Sequence, residues 1–244
     1  MCPINCLGVI TARSGSKSIR HKNLQEIQGK NLLEWTASAI SKSSIIEECI
    51  ITTDSKIYAN FAETYGIQVP FIRPQELSAD TSTDAEVFAH LCSYLSLKRK
   101  LPKYLIHFRP TTPFRDPKVI DSSINCFLNN SSNVTSMRSV HQMSESAYKC
   151  FEMSDQGFLI QVFTKQSSLD SSNAPKETFP KTFFPNGYID VIKTEHFLET
   201  GLLHGNAVLA QLTEVSVEID SSQDLDFARL LVEKNPLIYD KVFS

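Results

Sequence analysis

Between residues 7 and 140 the chain alternates short β-rich apolar runs with stretches of helical spacing, and this alternation narrows the fold more than any other feature. Leu7-Gly8-Val9-Ile10-Thr11 reads as a buried first strand, Leu32 to Ile40 as a helix and Cys49 to Thr53 as a second strand. A helix from Ile57 to Tyr65, stopped by Gly66, precedes a short strand from Val69 to Ile72. Then follow a helix from Asp84 to Leu97, a strand from Tyr104 to Phe108, a helix from Pro117 to Leu128 and a strand from Val134 to Val140. Strands separated by helices imply an α/β fold with an open, mostly parallel, Rossmann-like sheet covered on both faces. Ligands bind beyond the carboxyl ends of such strands. That end collects residues 13–22, Asp54, Arg73 and Arg109.

The rhythm fails over residues 141–182. Tyr148, Phe151, Phe158, Leu159, Ile160, Val162 and Phe163 need burial there, so this stretch reads as an arm inserted into a single domain spanning 1–244. A second copy of the chain is the expected cover, giving a homodimer. The sheet is expected to resume at Gly187 to Ile192 and at Val215 to Ile219, with a last helix at Ser222 to Glu233.

The loop after the first strand is the densest chemical feature. Arg13, Lys17, Arg20, His21 and Lys22 surround Ser14, Gly15, Ser16 and Ser18. Backbone N–H groups, hydroxyls, a guanidinium fork and ammonium charges suit a polyphosphate. A solvated basic loop is the bland alternative. The net charge of −3 excludes bulk attraction to nucleic acid, so the partner is small. Neither G-x-G-x-x-G nor G-x-x-x-x-G-K-[ST] occurs. Six cysteines without C-x-x-C spacing suggest reduced thiols rather than zinc or redox chemistry. No apolar stretch reaches a membrane span's length and no secretory leader is evident, so a cytoplasmic protein is expected.

Residues 10–23 resemble the A-R-x-G-S-K-x-I-x-x-K-N signature of the cytidylyltransferases that activate sialic acid and related nonulosonic acids. Further resemblances follow in the family's order. They are Thr52-Thr53-Asp54 (S-T-D), Arg73-Pro74-Gln75-Glu76-Leu77-Ser78-Ala79-Asp80 (R-P-x-x-L-A-x-D), and Arg109-Pro110-Thr111-Thr112-Pro113-Phe114-Arg115 (Q-P-T-S-P-L-R). Pro185-Asn186-Gly187 (P-N-G) and Glu218-Ile219-Asp220 (D-I-D) complete the series.

The resemblance implies a nucleotidyltransferase fold with a dimerisation arm, and attack of a sugar-acid hydroxyl on CTP. Arg13, Ser14, Gly15, Ser16 and Lys17 would hold the triphosphate. Lys22 would add charge at the reacting phosphate, Asn23 would contact the base, and Arg73 and Asp80 would frame the nucleotide pocket. Asp220, with Glu218, would bind Mg²⁺, so Arg13, Lys22 and Asp220 are the implied catalytic residues. Arg109, Thr112, Lys149, Lys176 and Asn186 would form the sugar site, the two lysines in some cases from the partner subunit.

Four departures stand out: Arg109 where Gln is common, Glu218 where Asp is common, Asp84 where a small hydroxyl is common and Lys176 where Arg is common. A helix N-cap is the competing reading for Asp220, and exposed surface charge that for Lys149 and Lys176. An eight-carbon octulosonic acid remains an alternative acceptor. A silent nucleotide-binding protein is a further alternative, as is a glycosyltransferase, whose D-x-D occurs here only at Asp224-Leu225-Asp226.

Overall fold

The computed structural model describes residues 5–163 and 168–244. Residues 164–167 of the expected arm, and Cys2, lie outside the described residues. The strands are β1 (Cys6–Thr11), β2 (Glu26–Ile27), β3 (Lys30–Asn31), β4 (Glu48–Thr52), β5 (Tyr104–Phe108), β6 (Ser136–Gln142), β7 (Phe151–Met153), β8 (Leu159–Gln161), β9 (Phe183–Lys193) and β10 (Val208–Leu212). The α-helices are α1 (Leu32–Ser41), α2 (Lys56–Thr64), α3 (Asp84–Ser96), α4 (Pro117–Asn130), α5 (Thr194–Thr200), α6 (Ser222–Lys234) and α7 (Leu237–Phe243). No described helix is long and apolar enough to cross a membrane.

The main sheet has the order β10-β6-β9-β5-β1-β4. β9 runs antiparallel to β5 and β6, and the remaining pairs are parallel. Alternation along β1 sends Cys6 and Ile10 into a core shared with α1, α4, α6 and α7, and Leu7 and Val9 into a second core under α3 and α5. Gly8 permits the close approach of the chain beneath it, since a Cβ there would meet Ile46 Cγ2 at 3.1 Å and Cys49 Sγ at 3.2 Å. Local chemistry starts the helices. Asn31 with Glu34, Thr83 with Glu86 and Ser221 with Asp224 form capping boxes at α1, α3 and α6.

Two expected strands are corrected. In place of the expected strand at Val69–Ile72 there are only isolated bridges, Gln68 with Ile50 of β4 and Ile72 with Thr53 just past it, because Pro70 offers no N–H to a ladder. Val215–Ile219 is extended but unpaired as a ladder. The edge position belongs instead to β10, beside β6. Helices α5 and α7 were not expected. α7 covers Trp35, whose ring meets Phe243 at 4.8 Å and Tyr239 at 5.7 Å, edge to face.

Arg115, fully buried, binds the β5–α4 loop to β9. Its Nε donates to Tyr188 O at 2.6 Å and its NH2 to Gly187 O and Arg109 O, both at 2.9 Å. NH1 donates to Thr36 Oγ1 at 3.2 Å and to Thr112 O. Burial pulls its guanidinium down to about 9, which leaves it protonated at neutral pH. Arg115→Met would strand several buried carbonyls at about 1–3 kcal/mol each. Urea denaturation should therefore show a loss of at least about 3 kcal/mol. A loss below about 1 kcal/mol would contradict this role.

Candidate active site

A cleft of about 220 Å³ opens at the carboxyl ends of β1, β4 and β5. Arg13, Ser16, Lys22, Asn23, Arg73, Asp84, Arg109 and Thr111 line it, together with Thr11, Pro110 and apolar side chains. A larger cavity of about 610 Å³ lies between α4, the 211–217 segment and α7, and includes none of residues 13–22.

The loop after β1 is held from below. Asp54, just past β4, accepts from the Ser14 backbone N–H at 2.8 Å and from its hydroxyl at 2.7 Å. The Ser14 donors are thus engaged with protein, whereas Ser16 lines the cleft. Buried Asn23 donates to Arg13 O at 3.2 Å and so fixes the far end of the loop. At Gly15 an added Cβ would meet nothing within 4 Å, so protein packing does not demand glycine there.

The cations of this loop are paired in space with acids distant in sequence. Arg13 NH1 lies 2.7 Å from Asp80 Oδ1, and Lys17 pairs with Oδ2 of the same carboxylate. Hydrogen bonds from Lys17 and Arg13 hold Asp80 below the usual carboxylate range. Lys22 Nζ lies 2.9 Å from Asp220 Oδ1. Arg73 is buried, with Nε on Thr52 Oγ1 at 3.1 Å and a second bond to Thr52 O. Burial pulls it down to about 10.

Asp220 does not cap α6. Ser221 is the N-cap, and the Asp224 carboxylate takes the N–H groups of Asp220 and Ser221. Those hydrogen bonds, with that of the Ser221 hydroxyl, hold Asp224 below its usual range, so the D-x-D is helix-start chemistry. Glu218, two residues before Asp220, is pushed up by burial and by the Asp220 charge, while Arg109, Lys22 and Arg138 oppose the rise.

Several expected sugar-site residues are placed elsewhere. Thr112 is buried and donates to Asn186 O at 3.4 Å; its neighbour Thr111 faces the cleft. Buried Asn186 donates to Thr213 Oγ1 at 2.7 Å and accepts from Tyr188 N–H. Gly187 explains the P-N-G turn, since its φ is +63° and a Cβ would lie 3.0 Å from Thr112 Oγ1. Lys149 sits over the Phe179 ring at 5.7 Å, and Lys176 donates to Ser144 O. Neither lysine lines the cleft of its own chain.

Arg109 is at the cleft but already shared, with NH2 2.7 Å from Asp84 and NH1 3.0 Å from buried Asp190. Asp54, Asp190, Arg138 and His107 were not singled out for this site from sequence, apart from the position of Asp54 after a strand. His107 accepts from or donates to Thr11 Oγ1 at 2.8 Å. Burial, then Arg109, pulls it down to about 3, so it is neutral at pH 7.

A family model described as Cytidylyltransferase matches residues 7–175. The chain belongs to the cytidylyltransferase family. It is 30% identical over 232 residues to an N-acylneuraminate cytidylyltransferase of Escherichia coli, covering 93% of this chain and 52% of that protein. The chain therefore spans about half the length of that relative. It is 27% identical to a CMP-N,N'-diacetyllegionaminic acid synthase of Legionella pneumophila, covering 94% and 97%. A pseudaminic acid cytidylyltransferase of Campylobacter jejuni is 22% identical, with the same coverage. Among solved structures, a CMP:2-keto-3-deoxy-manno-octonic acid synthetase complexed with CTP matches with a TM-score of 0.67 at 11% identity, covering 94% of this chain and 99% of that one. That likeness establishes a shared nucleotidyltransferase fold.

The cap assignment is directly testable. Ser221→Ala should lower stability by about 1 kcal/mol in chemical denaturation, whereas Asp220→Asn should leave the midpoint near that of the parent. The reverse order would restore Asp220 as the cap.

Proposed function

We propose that this protein transfers the CMP group of CTP to a nonulosonic acid, releasing pyrophosphate, in the cytoplasm. The observation that carries this reading is the convergence of Arg13, Lys22, Arg73 and Arg109 on one cleft with the Glu218–Asp220 pair beside Lys22. The family and the names of the similar proteins supply the nucleotide and the acid class. The sugar acid's anomeric hydroxyl attacks the α-phosphate, so no protein nucleophile is needed. Arg13 and Lys17 are set to take phosphate oxygens in exchange for Asp80, and Lys22 to take them in exchange for Asp220. Lys22, with its side chain 12% exposed, acts where water screens charge weakly.

Mg²⁺ fits the hard oxygen donors of Asp220 and Glu218. Glu218 is held up by burial and then by the neighbouring Asp220 charge, and a cation held by the pair would relieve the second of these. Among the described residues no group of three or more His, Cys, Asp and Glu gathers into a metal site, so phosphate oxygens and water would complete the shell. Held by Asp220 and Glu218, the ion would supply neutralisation of phosphate charge. With Mg²⁺ present, Arg13→Ala and Lys22→Ala should each lower kcat/KM roughly a hundredfold, and Asp220→Asn should abolish metal-dependent turnover. Pyrophosphate release measured with N-acetylneuraminate, N,N'-diacetyllegionaminate, pseudaminate and an octulosonate identifies the acceptor. Turnover confined to the octulosonate would replace the nonulosonic reading, and CTP binding without turnover would leave a silent binder.

The same reading includes a homodimer. The arm's hairpin, β7 and β8, leaves Met153 and Phe158 exposed, at 74% and 66%, along with Leu159, Ile160 and Phe163. A second copy is the proposed cover, and Lys149 or Lys176 would then approach the partner's sugar site. Sedimentation should give a dimer. Mixing Arg13→Ala subunits with Lys149→Ala/Lys176→Ala subunits should yield more activity than either parent. A fully active monomer would refute the dimer, and dimers without complementation would remove the shared site.

A further inference from the structure

His107 on β5, Asp190 on β9 and Arg138 on β6 lie in register across three adjacent strands, so their side chains share one sheet face. Asp190 is 1% exposed. Its Oδ2 is bonded to Arg109 NH1 at 3.0 Å. Its Oδ1 faces Arg138 Nε at 3.7 Å, beyond hydrogen-bonding distance, and both of those atoms are buried with no partner among the described residues. His107 is neutral, so the compensating charge for this carboxylate comes from the two arginines. Neither guanidinium is itself buried away. The Arg138 side chain is 38% exposed, and the outer edge of Arg109 meets Asp84, also 38% exposed.

Across the sheet, the phosphate-binding cations stand on the β1 side, whereas Asp190 and Arg138 stand on β9 and β6. An anion on the arginine pair would therefore sit across the sheet from the loop after β1.

We propose that Asp190 positions Arg109 and Arg138 as a paired guanidinium site for the carboxylate of the acceptor sugar acid, a site in which that carboxylate displaces half-exposed Asp84 from Arg109. This rests on the transferase reading above and assigns its second substrate a charge partner. Two forks already partly compensated by one buried acid match a single negative charge better than a polyphosphate. Asp190 is a positioning residue, since its own atoms stay below the guanidiniums.

The test uses the full chain with CTP and whichever acid of the four-member panel the parent turns over, together with that acid's methyl ester. The parent should prefer the acid over the ester by at least about tenfold in kcat/KM. Asp190→Asn and Arg138→Gln should raise the KM for the acid about tenfold, collapse that preference, and leave the KM for CTP within about twofold. Arg138→Lys should restore part of the preference. If Asp190→Asn does not fold, the half-exposed Arg138→Gln variant decides. An unchanged acid-to-ester ratio in Arg138→Gln, or equal rises in both substrates' KM values, would overturn the inference. A parent that turns over none of the acids would overturn the underlying transferase reading and this inference with it.

Discussion

The guanidinium of Arg115 sits at the junction on which the cleft depends. Its donors reach carbonyls of Arg109, Thr112, Gly187 and Tyr188, which belong to the loop after β5 and to β9. Nothing in that set is a carboxylate; the charge is solvated by oriented backbone dipoles. A neutral side chain could not satisfy so many acceptors at once, and Lys lacks the planar fork. By fixing the Arg109 carbonyl, Arg115 also fixes where the Arg109 side chain leaves the strand end. The clamp thereby holds the loop after β5, which carries Arg109 and Thr111 into the cleft, against β9.

Most cations at the cleft are provisionally neutralised by acids, whereas the Arg73 side chain is held by Thr52. Asp80 serves Arg13 and Lys17, Asp220 serves Lys22, and Asp84 serves Arg109. The acid partners are more solvent-accessible than the lysine or arginine wherever the site is deepest: Asp220 is 71% exposed against 12% for Lys22. Such pairs hold the basic side chains in place at little net stabilisation, because exposed carboxylates return to water cheaply. On the proposed reading, an incoming polyanion would exchange with protein carboxylates rather than with bulk water alone, and the cations would need little reorganisation.

Much of this was legible in the chain. The buried first strand, the strand at Tyr104–Phe108 and the capped helix at Asp84 were readable from local pattern, because each is set by neighbours within a few residues. Legibility stopped where long-range partners decide. Asp80 and Asp220 neutralise the loop from 67 and 198 residues away, so the sequence left its charge without acids. Asn186 and Thr112 belong to motifs associated with the sugar, yet they pack against each other beneath the cleft and support it from below. Edge strand β10, Val-Leu-Ala-Gln-Leu, lacks the strict apolar–polar alternation of Val215–Ile219, which gave the clearer strand signal yet found no ladder. Asp190 hid inside an apolar strand, where its charge makes sense only beside Arg109 and Arg138.

The central claim is that the loop after β1 and Lys22 are a preorganised polyphosphate site whose cations exchange Asp80 and Asp220 for ligand oxygens. Calorimetric titration of the protein with CTP and, separately, with CMP tests it most directly, since both carry the same base and ribose. The account predicts that CTP binds at least about tenfold more tightly, a difference of about 1.4 kcal/mol, and that the advantage shrinks as salt is raised. Equal affinity for the two nucleotides at low salt would contradict it.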